Sequence, residues 1–92
     1  MVEKTATIKN AHGIHCRPSA VIVKHVKGYE GSIEVMGEKG TADLTSIMEL
    51  MMLELFVGSQ VKIRVSGPDE EKICDELVEL FETHFDFPSQ EA

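Results

Sequence analysis

The chain has 92 residues, the length of one domain and not of two. Nine basic against sixteen acidic side chains give a net charge of −7, which excludes general nucleic-acid binding, since that requires a basic footprint over the phosphates. No apolar run approaches the ~18 residues of a membrane span, and the opening MVEKTATIKN carries early charge without the apolar stretch of a signal peptide, so a cytoplasmic protein without membrane insertion is expected.

Val2, Ala6 and Ile8 share one parity beside Thr5 and Thr7, the pattern of a short half-buried strand. Asn10-Ala11-His12-Gly13 reads as a loop. From Cys16 to Lys27 the apolar residues Ala20, Ile22, Val23 and Val26 fall at helical spacing, and Gly28 follows as a C-cap. The β-branched run Val21-Ile22-Val23 could pass for a strand. Pro18 in a first turn with Lys24 and Lys27 in a last turn decides for a helix. Ile33 and Val35 mark a second strand, Gly37-Glu38-Lys39-Gly40 a turn, and Thr41 to Leu44 a third strand. Ser46 is a candidate N-cap for a short helix through Leu50, Leu53 and Leu55, ended by Gly58. Gln60 to Ser66 is the clearest strand, with Val61, Ile63 and Val65 inward and Lys62 and Arg64 outward. Gly67-Pro68-Asp69 provides the turn and cap of a last helix whose stripe is Ile73, Leu77, Leu80 and Phe81.

The order βαββαβα, with strands that are polar on one face, predicts an α+β open-faced sandwich: a four-stranded antiparallel sheet covered on one face by three helices. Residues 1–88 form a single domain on this reading and 89–92 a short C-terminal tail. Cys16 and Cys74 stand far apart and form no CxxC pair, so reduced thiols are expected.

Charge is unevenly placed. Between Asp69 and Glu82 seven acids face Lys72 alone, whereas His12 to Lys27 holds Arg17, Lys24, Lys27 and three histidines without an acid. Within that second stretch lies Gly13-Ile14-His15-Cys16-Arg17-Pro18, at the join of loop and helix. The first-turn N–H groups of a helix have no intrahelical partner, and with the macrodipole they favour an anion. The same field disfavours imidazolium, which keeps His15 neutral and nucleophilic. Arg17 adds a planar, permanently charged fork for phosphoryl oxygens. A helix terminus contributes ~0.3–1 kcal/mol to a nearby anion and a charged hydrogen bond ~1.5–3, enough to steady a labile phosphoryl group without trapping it. On residue chemistry alone, a histidine beside an arginine at a helix start is more often an ordinary surface cap.

The string G-I-H-C-R-P resembles the active-site motif of the HPr family, the histidine-containing phosphocarriers of the bacterial phosphoenolpyruvate-dependent phosphotransferase system. Ser46-Ile47-Met48 with Leu50, Leu53 and Gly58 resembles the family's second, regulatory-site helix, and Gly67-Pro68-Asp69-Glu70-Glu71 its G-x-D-E approach to the last helix. The likeness runs from about residue 2 to 85. It implies that His15 accepts a phosphoryl group at its δ nitrogen from enzyme I and passes it to a histidine of a sugar-specific IIA domain. Arg17 would stabilise that group, and the backbone N–H groups of Cys16 and Arg17 would bind it. Exposed Ile47, Met48 and Met51 would form the docking patch, because at i, i+1 and i+4 they cannot all point the way of Leu50 and Leu53. Ser46 would be a regulatory phosphorylation site for an HPr kinase/phosphorylase. The resemblance implies a stoichiometric carrier rather than an enzyme, a monomer, and no cofactor or metal.

Several residues depart from the family pattern. His12 replaces a small polar residue, as a solvated loop side chain or a second phosphoryl donor. Cys16 replaces alanine or threonine, as a packing residue or a thiol with lowered pKa. His12, His15 and Cys16 offer only three ligands for zinc. Glu49 and Glu54 stand where glycine is common and Thr45 where lysine is, which adds negative charge around Ser46. His25 and His84 read as surface residues. Two other function classes remain beside the sugar-system carrier: a regulatory module of a nitrogen-related phosphorelay or of Ser46-based signalling, and a thiol or metal protein built on Cys16.

Overall fold

A computed structural model describes residues 1–9 and 16–83, for Cys16 and Arg17 the backbone alone. Among them the order is β1 (Val2–Thr7), α1 (Cys16–His25), β2 (Ser32–Gly37), β3 (Gly40–Asp43), α2 (Ile47–Met52), β4 (Gln60–Ser66) and α3 (Glu70–Phe81). The strands form one sheet in the order β1-β4-β2-β3, every neighbouring pair antiparallel. The open-faced α+β sandwich is the fold.

Period-2 alternation sets the two faces of the sheet. The rung Val2–Val65–Ile33 and the rung Ala6–Val61 point toward the helices, while Glu3, Lys62, Arg64 and Glu34 line the open face. Glu3 accepts from Arg64 Nε at 3.1 Å and Nη2 at 2.9 Å. Parity also places Lys4 on the helix-facing side, opposite Ile63. Its stem lies over the core and its ammonium meets Asp75 of α3 at the edge.

The core joins Ile8, Val35, Val61, Ile63 and Val65 from the strands to Ile22 of α1, Leu50 of α2, and Cys74, Leu77 and Phe81 of α3. α1 contributes Pro18, Ser19 and Ile22 at helical spacing, with Val26 buried in the turn after it, which confirms the helix over the strand alternative for Val21-Ile22-Val23. It ends at His25, two residues before the expected Lys27, and unwinds through a turn to Gly28 at φ +83°, where a side chain would be strained.

Other boundaries also differ from expectation. β3 is Gly40–Asp43 rather than Thr41–Leu44, although Leu44 just beyond it is buried and its N donates to Ile33 O at 3.2 Å. α2 ends at Met52, and Leu53 and Leu55 enter the core from the segment after it, with Glu54 left-handed at φ 50°. The stripe of α3 centres on Cys74, Leu77 and Phe81, and Ile73 and Leu80 are only partly buried. Asp69 is the N-cap of α3 by position, but it is left-handed at φ 49° and its side chain makes no cap bond. Glu70 Oε1 instead accepts from Gly67 N at 3.2 Å. Gly67 has φ +146°, and a Cβ there would press on the Tyr29 hydroxyl, which donates to Pro68 O at 2.7 Å. His84 and the expected domain boundary at 88/89 lie outside the described residues.

Candidate functional site

His12 and His15 lie outside the described residues, as do the side chains of Cys16 and Arg17. The structure does describe what borders them. α1 begins at Cys16, the residue after His15 in the chain, so the backbones of Cys16 and Arg17 form the start of its first turn. That turn carries no acidic residue, and the last turn carries Lys24 and His25, a distribution that leaves the positive end of the dipole unneutralised. Pro18 and Ser19 beneath it are buried.

The other border is Ile8–Lys9. Ile8 N donates to Ser59 O at 2.8 Å and Gly58 N to Ile8 O at 2.8 Å. Phe56 N donates to Ser59 Oγ at 3.2 Å and Ser59 N to Phe56 O at 2.9 Å, closing a tight turn. The chain therefore leaves β1 against the Phe56–Ser59 turn and re-emerges at the head of α1, which packs on α2. One border of the His15 segment is thus bonded to the turn after α2, and the other opens a helix that packs on α2.

α2 is six residues long, and Leu50 is its one buried residue. Ile47, Met48 and Met51 are exposed, at 39%, 72% and 39%, away from Leu50 and Leu53 as the spacing requires. The apolar surface is wider than the sequence indicates. Met52 is exposed at 68%, Phe56 at 62% and Val57 at 57%. Phe56 and Val57 resemble core residues by composition, and only the tight turn after Leu55 holds them outward. Between α1 and the start of α2 runs a groove of about 610 Å³, with Val23, Ile33, Leu44 and Ile47 in its lining and Lys24 and Lys27 on it.

Ser46 caps α2 as its spacing predicts. It has extended φ, ψ of −125° and 119°, and its Oγ accepts from Glu49 N at 3.2 Å. Glu49 does not complete a reciprocal capping box: its Oε1 accepts from Asp43 N at 3.1 Å. Asp43 supplies the other half, accepting from Thr45 N through Oδ1 at 2.9 Å and from Ser46 N through its carbonyl at 3.1 Å. The Ser46 hydroxyl thus stands between two carboxylate-bearing residues.

Cys74 sits in the core, its Sγ donating to Ile63 O at 3.6 Å. Burial pushes its thiol pKa up and keeps it protonated. His25, on the surface as expected, places Nε2 2.9 Å from Glu76 Oε1 and ties α1 to α3. Among the described residues no group of three His, Cys, Asp or Glu could hold a metal ion, and no helix is long and apolar enough to cross a membrane. The zinc alternative through His12, His15 and Cys16 falls outside these residues.

A four-stranded antiparallel sheet lies under three helices, and a helix N-terminus directly follows a histidine, the class of open-faced sandwich with an anion-favouring helix start. The family model "PTS HPr component phosphorylation site" matches residues 2–83. The chain belongs to the HPr family, the phosphocarrier component of the phosphotransferase system. It is 30% identical over 86 residues to phosphocarrier protein NPr of Escherichia coli strain K12, covering 92% of this chain and 96% of that one. It is 31% identical over 86 residues to phosphocarrier protein HPr of Treponema pallidum, covering 94% and 98%. The crystal structure of HPr from Thermoanaerobacter tengcongensis superposes with a TM-score of 0.80 at 36% identity, over 88% of this chain and 91% of that one.

Proposed function

We propose that this protein carries a phosphoryl group on His15 between enzyme I and a histidine of a IIA domain, as a stoichiometric intermediate without turnover of its own. The observation that carries this reading is that α1 starts at Cys16, directly after His15, with an acid-free first turn. The neutral imidazole attacks the phosphorus held on the enzyme I histidine, and one P–N bond forms as the other breaks. The first-turn backbone N–H groups of Cys16 and Arg17 and the helix dipole receive the charge that arrives with the group. Arg17 aligns the phosphoryl oxygens. The return step, to the IIA histidine, is the same exchange in the other direction.

Ile47, Met48 and Met51 are the docking patch on this reading, extended by Met52, Phe56 and Val57. This is supported by the bonds of Ile8, at one border of the His15 segment, to Gly58 and Ser59 and by the packing of α1, which opens the other border, on α2. Ser46, whose hydroxyl caps α2 within the patch, is the candidate regulatory phosphorylation site, and Asp43 and Glu49 beside it oppose an added phosphate.

The test is incubation with enzyme I and phosphoenolpyruvate. One acid-labile, alkali-stable phosphate is expected, and His15→Ala is expected to abolish it. Unchanged labelling of His15→Ala would move the site elsewhere. Arg17→Ala is expected to slow transfer strongly and Cys16→Ala to change it by no more than a few-fold; the reverse order would favour thiol chemistry.

The match to an NPr phosphocarrier supports a second reading, a nitrogen-related branch in place of the sugar branch. Parallel labelling by an enzyme I from each branch separates them: the faster donor, by kcat/KM, is the partner.

A further inference from the structure

Three of the six residues of α2 are methionines: Met48, Met51 and Met52. At i, i+3 and i+4 they are neighbours on the helix surface, and Met48 and Met52 are among the most exposed apolar side chains described, at 72% and 68%. None of the three belongs to the core, where α2 is held by Leu50. A thioether differs from the leucine that could replace it in two respects: it is flexible and polarisable, and it is oxidisable. Solvent reaches these side chains, whereas Cys74 is sealed in the core.

We propose that Met48, Met51 and Met52 form a peroxide-sensitive modification site, where conversion to sulfoxide weakens docking of the phosphoryl donor. The inference rests on the reading of this face as the docking surface. A lone pair of the thioether sulfur attacks one oxygen of hydrogen peroxide. The S–O bond forms, the O–O bond breaks, and the departing oxygen takes a proton and leaves as water. Methionine is oxidised by two electrons and the peroxide reduced by two. Reversal requires a dithiol, which supplies two electrons and two protons and becomes a disulfide as water is released.

The consequence follows from burial of a polar group. An S=O oxygen exposed on the free carrier is hydrated, but in an apolar interface it loses that water and needs a donor. The side chains of α2 offer none: it carries no Lys or Arg, and Glu49 is a carboxylate, which only accepts, as it does from Asp43 N. The fold is not involved, because Leu50, Leu53 and Leu55 stay buried. Oxidation therefore acts on partner affinity and leaves the chemistry at His15 intact.

The test uses the full chain, treated with hydrogen peroxide until mass spectrometry shows sulfoxide at Met48 and Met52. KM and kcat for phosphorylation by enzyme I and phosphoenolpyruvate are compared with the same preparation untreated. KM is expected to rise at least five-fold with kcat within two-fold, and methionine sulfoxide reductases for both epimers are expected to restore it. A triple variant, Met48→Leu, Met51→Leu and Met52→Leu, referred to its own untreated KM, is expected to show no rise after the same exposure. An unchanged KM with both sulfoxides present overturns the proposal. A rise that the reductases leave in place, or that the triple variant shares, overturns it too, since the cause then lies at another residue. Untreated protein that takes no phosphate from enzyme I overturns the docking reading as well, on a control that never meets peroxide.

Discussion

α2 and α3 each lie on the same face of the sheet, yet they use their apolar residues in opposite ways. α3 runs for twelve residues and buries Cys74, Leu77 and Phe81. Its polar side is tied down as well: Asp75 to Lys4, Glu76 to His25, and Glu82 Oε2 to Thr7 N at 3.0 Å. α2 runs for six and buries Leu50 alone, while Ile47, Met48, Met51 and Met52 face water. A helix this short is not stable by itself, and Ser46 and Asp43 hold its start. An apolar residue kept in water against the hydrophobic effect gains nothing in folding, so the contrast separates a helix that holds the domain together from one whose apolar side chains stay on the surface, the face proposed for docking.

The largest effect that could break the contrast is in α3. Phe81→Ala removes a fully buried ring and is expected to cost ~3–5 kcal/mol of unfolding free energy, read by denaturant unfolding. Met48→Ala in α2 is expected to change stability by less than ~0.5 kcal/mol and to raise KM for enzyme I several-fold. A destabilised Met48→Ala with an unchanged KM would show that α2 is a core helix after all.

Ser46 lies between these extremes. Ser46→Ala removes the acceptor for Glu49 N and is expected to cost ~1 kcal/mol. Ser46→Asp keeps an acceptor at the cap and is expected to hold stability while slowing His15 phosphorylation several-fold, because charge enters the apolar patch. Equal phosphorylation rates for Ser46→Asp and wild type would remove Ser46 from docking control.

Much of this contrast is legible in the sequence, and the exceptions have physical causes. Strand alternation from Val61 to Val65 is visible because one face of the sheet is wet and the other dry. The helical reading of α1 survives its β-branched run because Pro18, Ser19 and Ile22 fix the face. Ser46 is found by its side-chain chemistry, which is local. Phe56 and Val57 are missed because aromatic and β-branched residues read as core, and only hydrogen bonds to Ile8 and Ser59 turn them outward. Cys74 is missed as a core residue because a thiol reads first as chemistry. Asp69 is read as a side-chain cap, but the tight Gly67–Asp69 turn puts its backbone in the left-handed region and Glu70 takes over. The proposal of His15 as acceptor rests on its motif, since local composition cannot distinguish a phosphoryl acceptor from a surface cap.

The smallest effect concerns what fastens α3 to β1. Lys4 looks like a solvent residue by type, but parity places it on the core side, with its ammonium on Asp75. The hydrogen bond that the Lys4 ammonium donates to Asp75 holds its pKa above its usual 10.5, against the opposing effect of desolvation. A raised folded-state pKa means that the contribution of the charged form is fully present below the unfolded value and is lost as pH rises through the folded one. The pair therefore gives a constant contribution from pH 6 to 9. Asp75→Asn is expected to lower the melting temperature slightly and equally at both of those pH values, with the difference shrinking in high salt as exposed charges are screened. The gap between variant and wild type is expected to close only above pH 10.5, where Lys4 loses its proton. A gap that opened or closed between pH 6 and 9 would mean that some other titrating group, and not Lys4, sets the hold of α3 on the sheet.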